Sequence, residues 1–150
     1  MKLVDANLLL YAIDTASPHH AAARAWWDGQ LANEEPLGLA WVTILAFLRL
    51  STNPKVFRDP CTIAGAMQHV ESWLARPSVR LVAATANHWR CLQGLLLAVG
   101  ATGNLTTDAH LVALAIEHDC ELCTTDGDFK RFPGLKWRNP LSGAQAGAGQ

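Results

Sequence analysis

Very short apolar segments alternate along this chain with longer segments of helical periodicity, and this alternation constrains the fold more than any other feature. The strand-like segments are Leu3-Val4, Leu37–Ala40, Arg80–Ala83, Glu121–Thr124 and an edge segment, Leu135–Arg138. Strands that are connected through helices usually lie parallel in one sheet, with helices on both of its faces. We therefore predict an α/β fold with a central parallel sheet.

The helical segments are recognised by apolar residues that recur every three or four positions. The predicted helices cover approximately residues 7–13, 18–32, 41–50, 63–76, 89–99 and 106–118. Ser17, which stands before Pro18, is a predicted N-cap, and Thr106 or Thr107 is predicted to cap the last of these helices. These assignments place a helix or a turn directly after each strand.

The composition is that of one apolar domain. The chain has 150 residues, of which 50% are hydrophobic and 17% charged, enough for one substantial core but not for two. We expect the domain to span residues 1–141 and the Gly-, Ala- and Gln-rich segment 142–150 to be disordered. Lys2 and Asp5 interrupt the apolar start, so we expect no signal peptide. No apolar run approaches the ~18 residues of a membrane span, and we expect a cytoplasmic location.

The charge is neutral evidence about nucleic acid, because local basic clusters offset the low net charge, and the motifs argue against several common functions. The net charge of −1 lacks the strongly basic character of a general nucleic-acid binder. The chain contains neither the Rossmann pattern G-x-G-x-x-G nor the P-loop pattern G-x-x-x-x-G-K-[ST]. The usual nucleotide-binding functions of an α/β sheet are therefore not indicated.

Four aspartates fall where a predicted strand ends or a predicted helix begins: Asp5, Asp108, Asp126 and Asp128. Ligands of a parallel α/β sheet gather outside the carboxyl ends of its strands, so these side chains are expected to meet there. Each also has a structural explanation as a helix cap, a dipole partner or a turn residue. Together, carboxylates without neighbouring cations predict a site for Mg²⁺, with Mn²⁺ as a substitute. Such a site is typical of phosphodiester hydrolysis.

Three motifs make the chain similar to a known family. They are Leu3–Tyr11, which contains Val-Asp5-Ala-Asn7, then Gly103–Ala115, and Thr124–Leu135 with Thr-Asp126-Gly-Asp128-Phe. In this order they resemble a PIN domain of the VapC toxins of bacterial toxin–antitoxin pairs. The resemblance covers nearly the whole chain. It implies a three-layer α/β/α fold and a Mg²⁺-dependent endoribonuclease, acting on transfer or ribosomal RNA, that a cognate VapB antitoxin inhibits.

The resemblance also implies roles for the aspartates. Asp5, Asp108 and Asp126 match the residues that hold the metal in the family, and Asp128 matches a position that is often acidic. We expect all four to be catalytic, with Asp128 completing the shell or orienting the water.

Two polar positions match residues that hydrogen-bond the carboxylates in the family. They are Asn7 and Thr125. The family also places a glutamate on the helix after the second strand, in a pattern resembling Leu-Ala-Glu-Leu-Leu-Arg. The corresponding stretch here ends in Phe47-Leu-Arg49, and we expect Phe47 to stand at the place of the acid. This departure leaves open whether one or two ions bind.

Partners follow from the resemblance and from the apolar composition. We expect a homodimer and a groove for an amphipathic antitoxin segment, formed by exposed apolar side chains that include Trp27 and Phe47. His110 is expected to be exposed on its helix, and Arg49 either contacts phosphate or forms a surface ion pair.

Two alternatives to a ribonuclease remain at this stage. One is a PIN domain that has lost catalysis and binds RNA or protein. The other is a metal-dependent phosphatase or small-molecule hydrolase, although such enzymes commonly carry a second acid two residues after the first, where this chain has Asn7. Cleavage of RNA with and without Mn²⁺ separates the three.

Overall fold

The computed structural model describes residues 1–100 and 102–142, which form a five-stranded sheet between two layers of helices. The strands are β1 (Lys2–Val4), β2 (Leu37–Ala40), β3 (Val79–Val82), β4 (Glu121–Cys123) and β5 (Trp137–Arg138). The helices are α1 (Ala6–Ile13), α2 (His20–Ala32), α3 (Trp41–Ser51), α4 (Ile63–Leu74), α5 (His88–Val99) and α6 (Asn104–Glu117), and a 3₁₀ helix covers Gly127–Arg131.

All strand pairs are parallel, in the order β3-β2-β1-β4-β5. The central strand β1 lies between β2 and β4, with Val4 opposite Cys123. The edge position of β5 agrees with the predicted edge segment. The predicted α/β fold with a parallel sheet and helices on both faces is confirmed.

The two faces of the sheet bury separate cores, and β1 shows why. Successive strand residues point to opposite faces. Val4 therefore packs with the core beneath α1 to α4, and Leu3 packs with the core beneath α5, α6 and the 3₁₀ helix. This arrangement leaves the carboxyl edge of the sheet free of helix cover, where polar side chains gather.

Two aromatic side chains predicted to form a partner groove lie in the first of these cores, so that prediction is wrong for both. Phe47 is 0% exposed and Trp27 is 3% exposed. Both rings pack against Trp73, with centroid distances of 4.8 Å for Phe47 and 5.5 Å for Trp27. Their large apolar area is better buried in the domain than offered to a partner.

Helix starts differ from the predicted ones. Ser17 does not cap α2, because its hydroxyl accepts a hydrogen bond from the His19 amide in a turn and the helix begins at His20. Neither Thr106 nor Thr107 caps α6, which begins after Gly103. Gly100, with φ of 60°, closes α5 in the left-handed conformation that glycine favours.

Two expectations about the chain as a whole remain. Of the segment 142–150 that is predicted to be disordered, residues 143–150 lie outside the described residues, whereas Ser142 is described and donates a hydrogen bond to Asn139. Within residues 1–100 and 102–142, no helix has the length and apolar character that crossing a membrane requires.

Candidate metal centre

The carboxyl ends of β1 and β4 are adjacent at the centre of the sheet, at the point where the strand order reverses. From β1 the chain adds β2 and β3 on one side, and it then returns to place β4 on the other side. A crevice at such a reversal is the usual ligand site of an open α/β sheet. Asp5 follows β1 directly, and Asp126 follows β4 after two threonines.

Asp5 is fixed by hydrogen bonds to both of its carboxylate oxygens. Oδ1 accepts from the amide of Ala6 at 2.8 Å, and Oδ2 accepts from the hydroxyl of Thr124 at 2.7 Å. Burial raises the pKa of Asp5, as does the charge of Asp126, while the two hydrogen bonds lower it. Asp5 is thus both the N-cap of α1 and a rigidly held carboxylate at the site.

Thr124 is the hydrogen-bonding neighbour that the sequence prediction placed at Thr125, so the prediction for Thr125 is wrong. Because Val4 pairs with Cys123 in the parallel ladder, the residues that follow them, Asp5 and Thr124, also lie side by side. Thr124 is 0% exposed, and its oxygen also accepts from the Asp126 amide at 3.0 Å. The register of β1 and β4 selects Thr124 over Thr125, since adjacent residues of an extended segment point in opposite directions.

Asp108 enters the site from the second turn of α6. Burial raises its pKa to about 6, and the negative charges of Asp5, Asp126 and Asp128 act in the same direction, while Arg131 lowers it. The side chain is half-buried. A carboxyl group with this pKa marks a place where negative charges are close together without enough positive charge to balance them.

Asp126 and Asp128 occupy different places. Asp126 lines the cavity, and its Oδ1 caps the 3₁₀ helix by accepting from the Asp128 amide at 2.9 Å. Asp128 is exposed at the rim, outside the cavity lining, and lies 3.7 Å from a guanidinium nitrogen of Arg131. Its charge reaches Asp108, as the raised pKa of Asp108 shows, but its carboxylate does not face the cavity.

A cavity of about 510 Å³ opens at this edge of the sheet. Its polar lining includes the three aspartates Asp5, Asp108 and Asp126, together with Asn7, Asn104, Thr107 and Arg49. Asn7 faces the cavity as expected, yet among the described residues its amide makes no hydrogen bond to a carboxylate. The structure therefore brings together three of the four predicted acids and Asn7.

Ala46, and not Phe47, is the residue that α3 presents at the expected place of the fourth acid. Ala46, Arg49 and Leu50 line the cavity, whereas Phe47 points away from it into the core. The prediction for Phe47 is wrong by one residue, which corresponds to a rotation of 100° around the helix. In the family pattern the acid stands three residues before the arginine, and counting back from Arg49 gives Ala46.

The donor set fits Mg²⁺ or Mn²⁺ in kind, since it consists of carboxylate oxygens. Within residues 1–100 and 102–142, no three carboxylate, imidazole or thiolate groups are close enough to enclose an ion together. Mg²⁺ is usually bound through one or two carboxylates and keeps several of its waters. Asp5, Asp108 and Asp126 around an open cavity are suited to that mode, directly or through water.

His110 lies on the other side of α6 and belongs to a separate cluster. It was expected to be exposed but is half-buried, and its Nδ1 lies 2.8 Å from Nε2 of His88. The other ring nitrogen of His88 bonds the carboxylate of Glu117. Burial and the neighbouring His88 lower the pKa of His110. His110 follows Asp108 by two residues, so the two side chains point in directions 200° apart around the helix and His110 does not face the cavity.

The chain matches a family model and known proteins along most of its length. The family model of the PIN domain matches residues 2–135. Ribonuclease VapC37 of Mycobacterium tuberculosis is 46% identical over 140 residues, which cover 93% of this chain and 97% of the relative. Ribonuclease VapC33 of the same species is 40% identical over 141 residues, covering 94% and 99% of the two chains.

Solved structures share the fold at low sequence identity. One is VapBC2 from Rickettsia felis bound to a DNA fragment from its promoter, with a TM-score of 0.66, 17% identity and coverage of 91% of this chain and 96% of that one. Another is VapC20 of Mycobacterium tuberculosis, a sarcin–ricin loop cleaving toxin, with a TM-score of 0.66, 16% identity and coverage of 91% and 99%. At these identities the similarity concerns the three-layer fold.

Proposed function

Since the chain belongs to the PIN domain family, within the group of ribonucleases named VapC, we propose that it is a metal-dependent endoribonuclease and the toxin of a toxin–antitoxin pair. The observation that carries the proposal is the meeting of Asp5, Asp108 and Asp126 in one cavity at the carboxyl edge of the sheet. The three residues lie far apart in sequence, and a purely structural role would not require them to face the same space.

In this proposal Asp5, Asp108 and Asp126 hold Mg²⁺, and Mn²⁺ can replace it. The chemistry that the ion supplies when bound is a more acidic water and compensation of negative charge on the reacting phosphate. Thr124 keeps the Asp5 carboxylate in place through its hydroxyl group. Asp128 acts from the rim, where its charge adds to the field at Asp108.

Proton release accompanies the loading of the site. Without a cation, the pKa of Asp108 is about 6, so part of the protein carries a proton on this carboxyl group in mildly acidic solution. A metal ligand must be deprotonated, and metal affinity therefore rises with pH through this range. We expect the activity to need less metal at pH 8 than at pH 5.5.

The proposed substrate is a single-stranded loop of transfer or ribosomal RNA. The cavity is open, and a backbone phosphate can approach the carboxylates that line it. Unstacked bases in loops also give a protein access to both phosphates and base edges. The phosphatase alternative has no comparable support, because Asn7 stands where its second acid belongs.

We further propose that a VapB-type antitoxin covers the cavity and that the toxin forms a homodimer. Trp41 and Leu45 on α3 are 55% and 61% exposed, and they lie beside the cavity-facing residues of the same helix. These two side chains take the place that the sequence prediction gave to Trp27 and Phe47. An amphipathic antitoxin helix could bury them.

The test is cleavage of end-labelled transfer and ribosomal RNA by the purified protein in Mg²⁺, Mn²⁺ or EDTA. We expect cuts at few positions with either metal, none in EDTA, and none with Asp5→Ala or Asp108→Ala. Asp59→Asn, at an exposed loop position outside the cavity lining, serves as the matched control. Cleavage in EDTA, or full activity of both alanine variants, would contradict the proposal.

A further inference from the structure

Arg49 lines the acidic cavity but forms no ion pair with the aspartates there. It lies on the cavity-facing side of α3, one turn after Ala46, and its side chain is exposed. Among the described residues, no carboxylate oxygen lies within 4.0 Å of its guanidinium group, although three aspartates line the same space. A cation in this position is free to bind an anion that enters.

Two arginines in the C-terminal part of the chain, one in the 3₁₀ helix and one in β5, lie close to carboxylates. Arg131 lies 3.7 Å from Asp128, and Arg138 lies 3.2 Å from Glu121. Arg131 also lowers the pKa of Asp108, whereas Arg49 is not among the charges that move the pKa of Asp5 or Asp108. The guanidinium of Arg49 therefore stands apart from the aspartates, at the α3 side of the cavity.

Ala46 accounts for this freedom. Residues three apart on a helix are neighbours, and a carboxylate at position 46 would be placed to pair with Arg49. With alanine at position 46, the guanidinium group lacks that partner. The cavity also has one negative charge fewer than it would have with a glutamate there, and so repels an incoming polyanion less. A negatively charged cavity would otherwise repel RNA, whose phosphates dominate its binding.

We propose that Arg49 binds a backbone phosphate of the single-stranded RNA substrate at the α3 side of the cavity, and that Ala46 keeps it available. The inference rests on the proposed ribonuclease function and adds to it the residue that positions the substrate. The planar guanidinium group donates two parallel hydrogen bonds to a phosphate, which fixes the orientation of the backbone as well as its position.

The test measures the binding of a short fluorescein-labelled single-stranded RNA by anisotropy, in EDTA so that the RNA stays intact. We expect Arg49→Ala to weaken binding about fivefold or more and to reduce the slope of log Kd against log salt by about 0.7, as for the loss of one phosphate contact. Arg49→Lys should recover part of the affinity.

The matched control is Arg58→Ala, because Arg58 is also exposed but does not line the cavity. It should change the affinity less than about twofold. Equal losses in Arg49→Ala and Arg58→Ala would mean that only the general charge of the surface matters, and would overturn the proposal. An unchanged affinity in Arg49→Ala, or no measurable binding by any of the proteins at low salt, would do the same.

A double-mutant cycle tests the part played by Ala46. Ala46→Glu should weaken RNA binding strongly when Arg49 is present and much less when residue 49 is alanine, because the new carboxylate neutralises the guanidinium group. Additive effects would show that the two positions are independent. With Mg²⁺, Arg49→Ala should raise KM for RNA and leave the metal concentration for half-maximal activity unchanged. A wild-type protein that binds RNA through Arg49 but never cleaves it would refute the ribonuclease proposal alone.

Discussion

Replacing Asp108 with asparagine removes one negative charge from the cavity and keeps the size of the side chain, and we expect the metal-free protein to become more stable at pH 7.5. The ordinary pKa of an aspartate, 3.8, applies to the unfolded chain, and the pKa in the folded protein is about 6. Between these values the folded state keeps a proton that the unfolded state has lost. The contribution of Asp108 to wild-type stability is therefore lost as the pH rises from about 4 to about 6, and it does not change above that range.

The size of the effect follows from the same difference. Moving a carboxyl pKa from 3.8 to about 6 corresponds to a ceiling of roughly 3 kcal/mol. Asp108 is only half-buried, and solvent screens its interactions, so we expect roughly 1–1.5 kcal/mol. For a domain of this size the melting temperature of Asp108→Asn should rise by roughly 3–5 °C above that of the wild type.

Urea titrations in EDTA at pH 4 and pH 7.5 measure this directly. The variant and the wild type should have nearly equal free energies of unfolding at pH 4, and the gain should appear at pH 7.5. Saturating Mg²⁺ should stabilise the wild type more than the variant, because the variant has lost one of the three carboxylates that line the cavity. Asp59→Asn, outside the cavity, controls for the loss of a charge. A variant that is less stable at pH 7.5, or a gain that is the same at both values of pH, would refute the reasoning.

Three further predictions concern the neighbours of the aspartates. Thr124→Val should lower the free energy of unfolding in urea by about 1–3 kcal/mol, because it removes a buried hydroxyl and leaves the Asp126 amide without its acceptor. The control Thr125→Val should change it by no more than about 0.5 kcal/mol, and equal losses would contradict the hydrogen bonding described. Ala46→Glu should raise the Mg²⁺ affinity measured by calorimetry by about 1 kcal/mol or more, with Ala46→Gln as the uncharged control. Equal affinities of the two variants would show that position 46 does not reach the ion. Phe47→Ala should lower the free energy of unfolding by about 3–5 kcal/mol in urea titrations, since the ring lies in the core, and it should leave the Mg²⁺ affinity of the folded protein unchanged. A lower metal affinity would place Phe47 at the site after all.

The aspartates were predictable because their position depends only on the order of the elements. Asp5 and Asp126 follow strands, and all parallel strands end at the same edge of the sheet. Asp108 could be placed because its helix begins at that edge. The inferences for Asp5 and Asp126 do not require knowledge of how a helix is rotated about its axis, whereas the direction of the Asp108 side chain was implied by the resemblance to the family.

The errors concern rotation and alternation, which the sequence pattern does not determine. α3 is apolar on more than one side, so periodicity alone could not decide whether residue 46 or residue 47 faces the cavity, and one position changes the direction by 100°. Thr124 and Thr125 are identical side chains on alternate sides of an extended segment. Only the pairing of Val4 with Cys123 selects Thr124 as the partner of Asp5.

The pairing of β1 with β4 also governs when the site can form during synthesis. The hydrogen bond from Thr124 to Asp5 joins residues that are 119 positions apart, and Asp126 lies beyond it. Contacts of such long range form slowly, because a large loop must close before the contact contributes stability. A growing chain that ends before β4 has Asp5 but neither Thr124 nor Asp126. The three carboxylates of the proposed metal site therefore cannot meet in a nascent chain until its synthesis is almost finished.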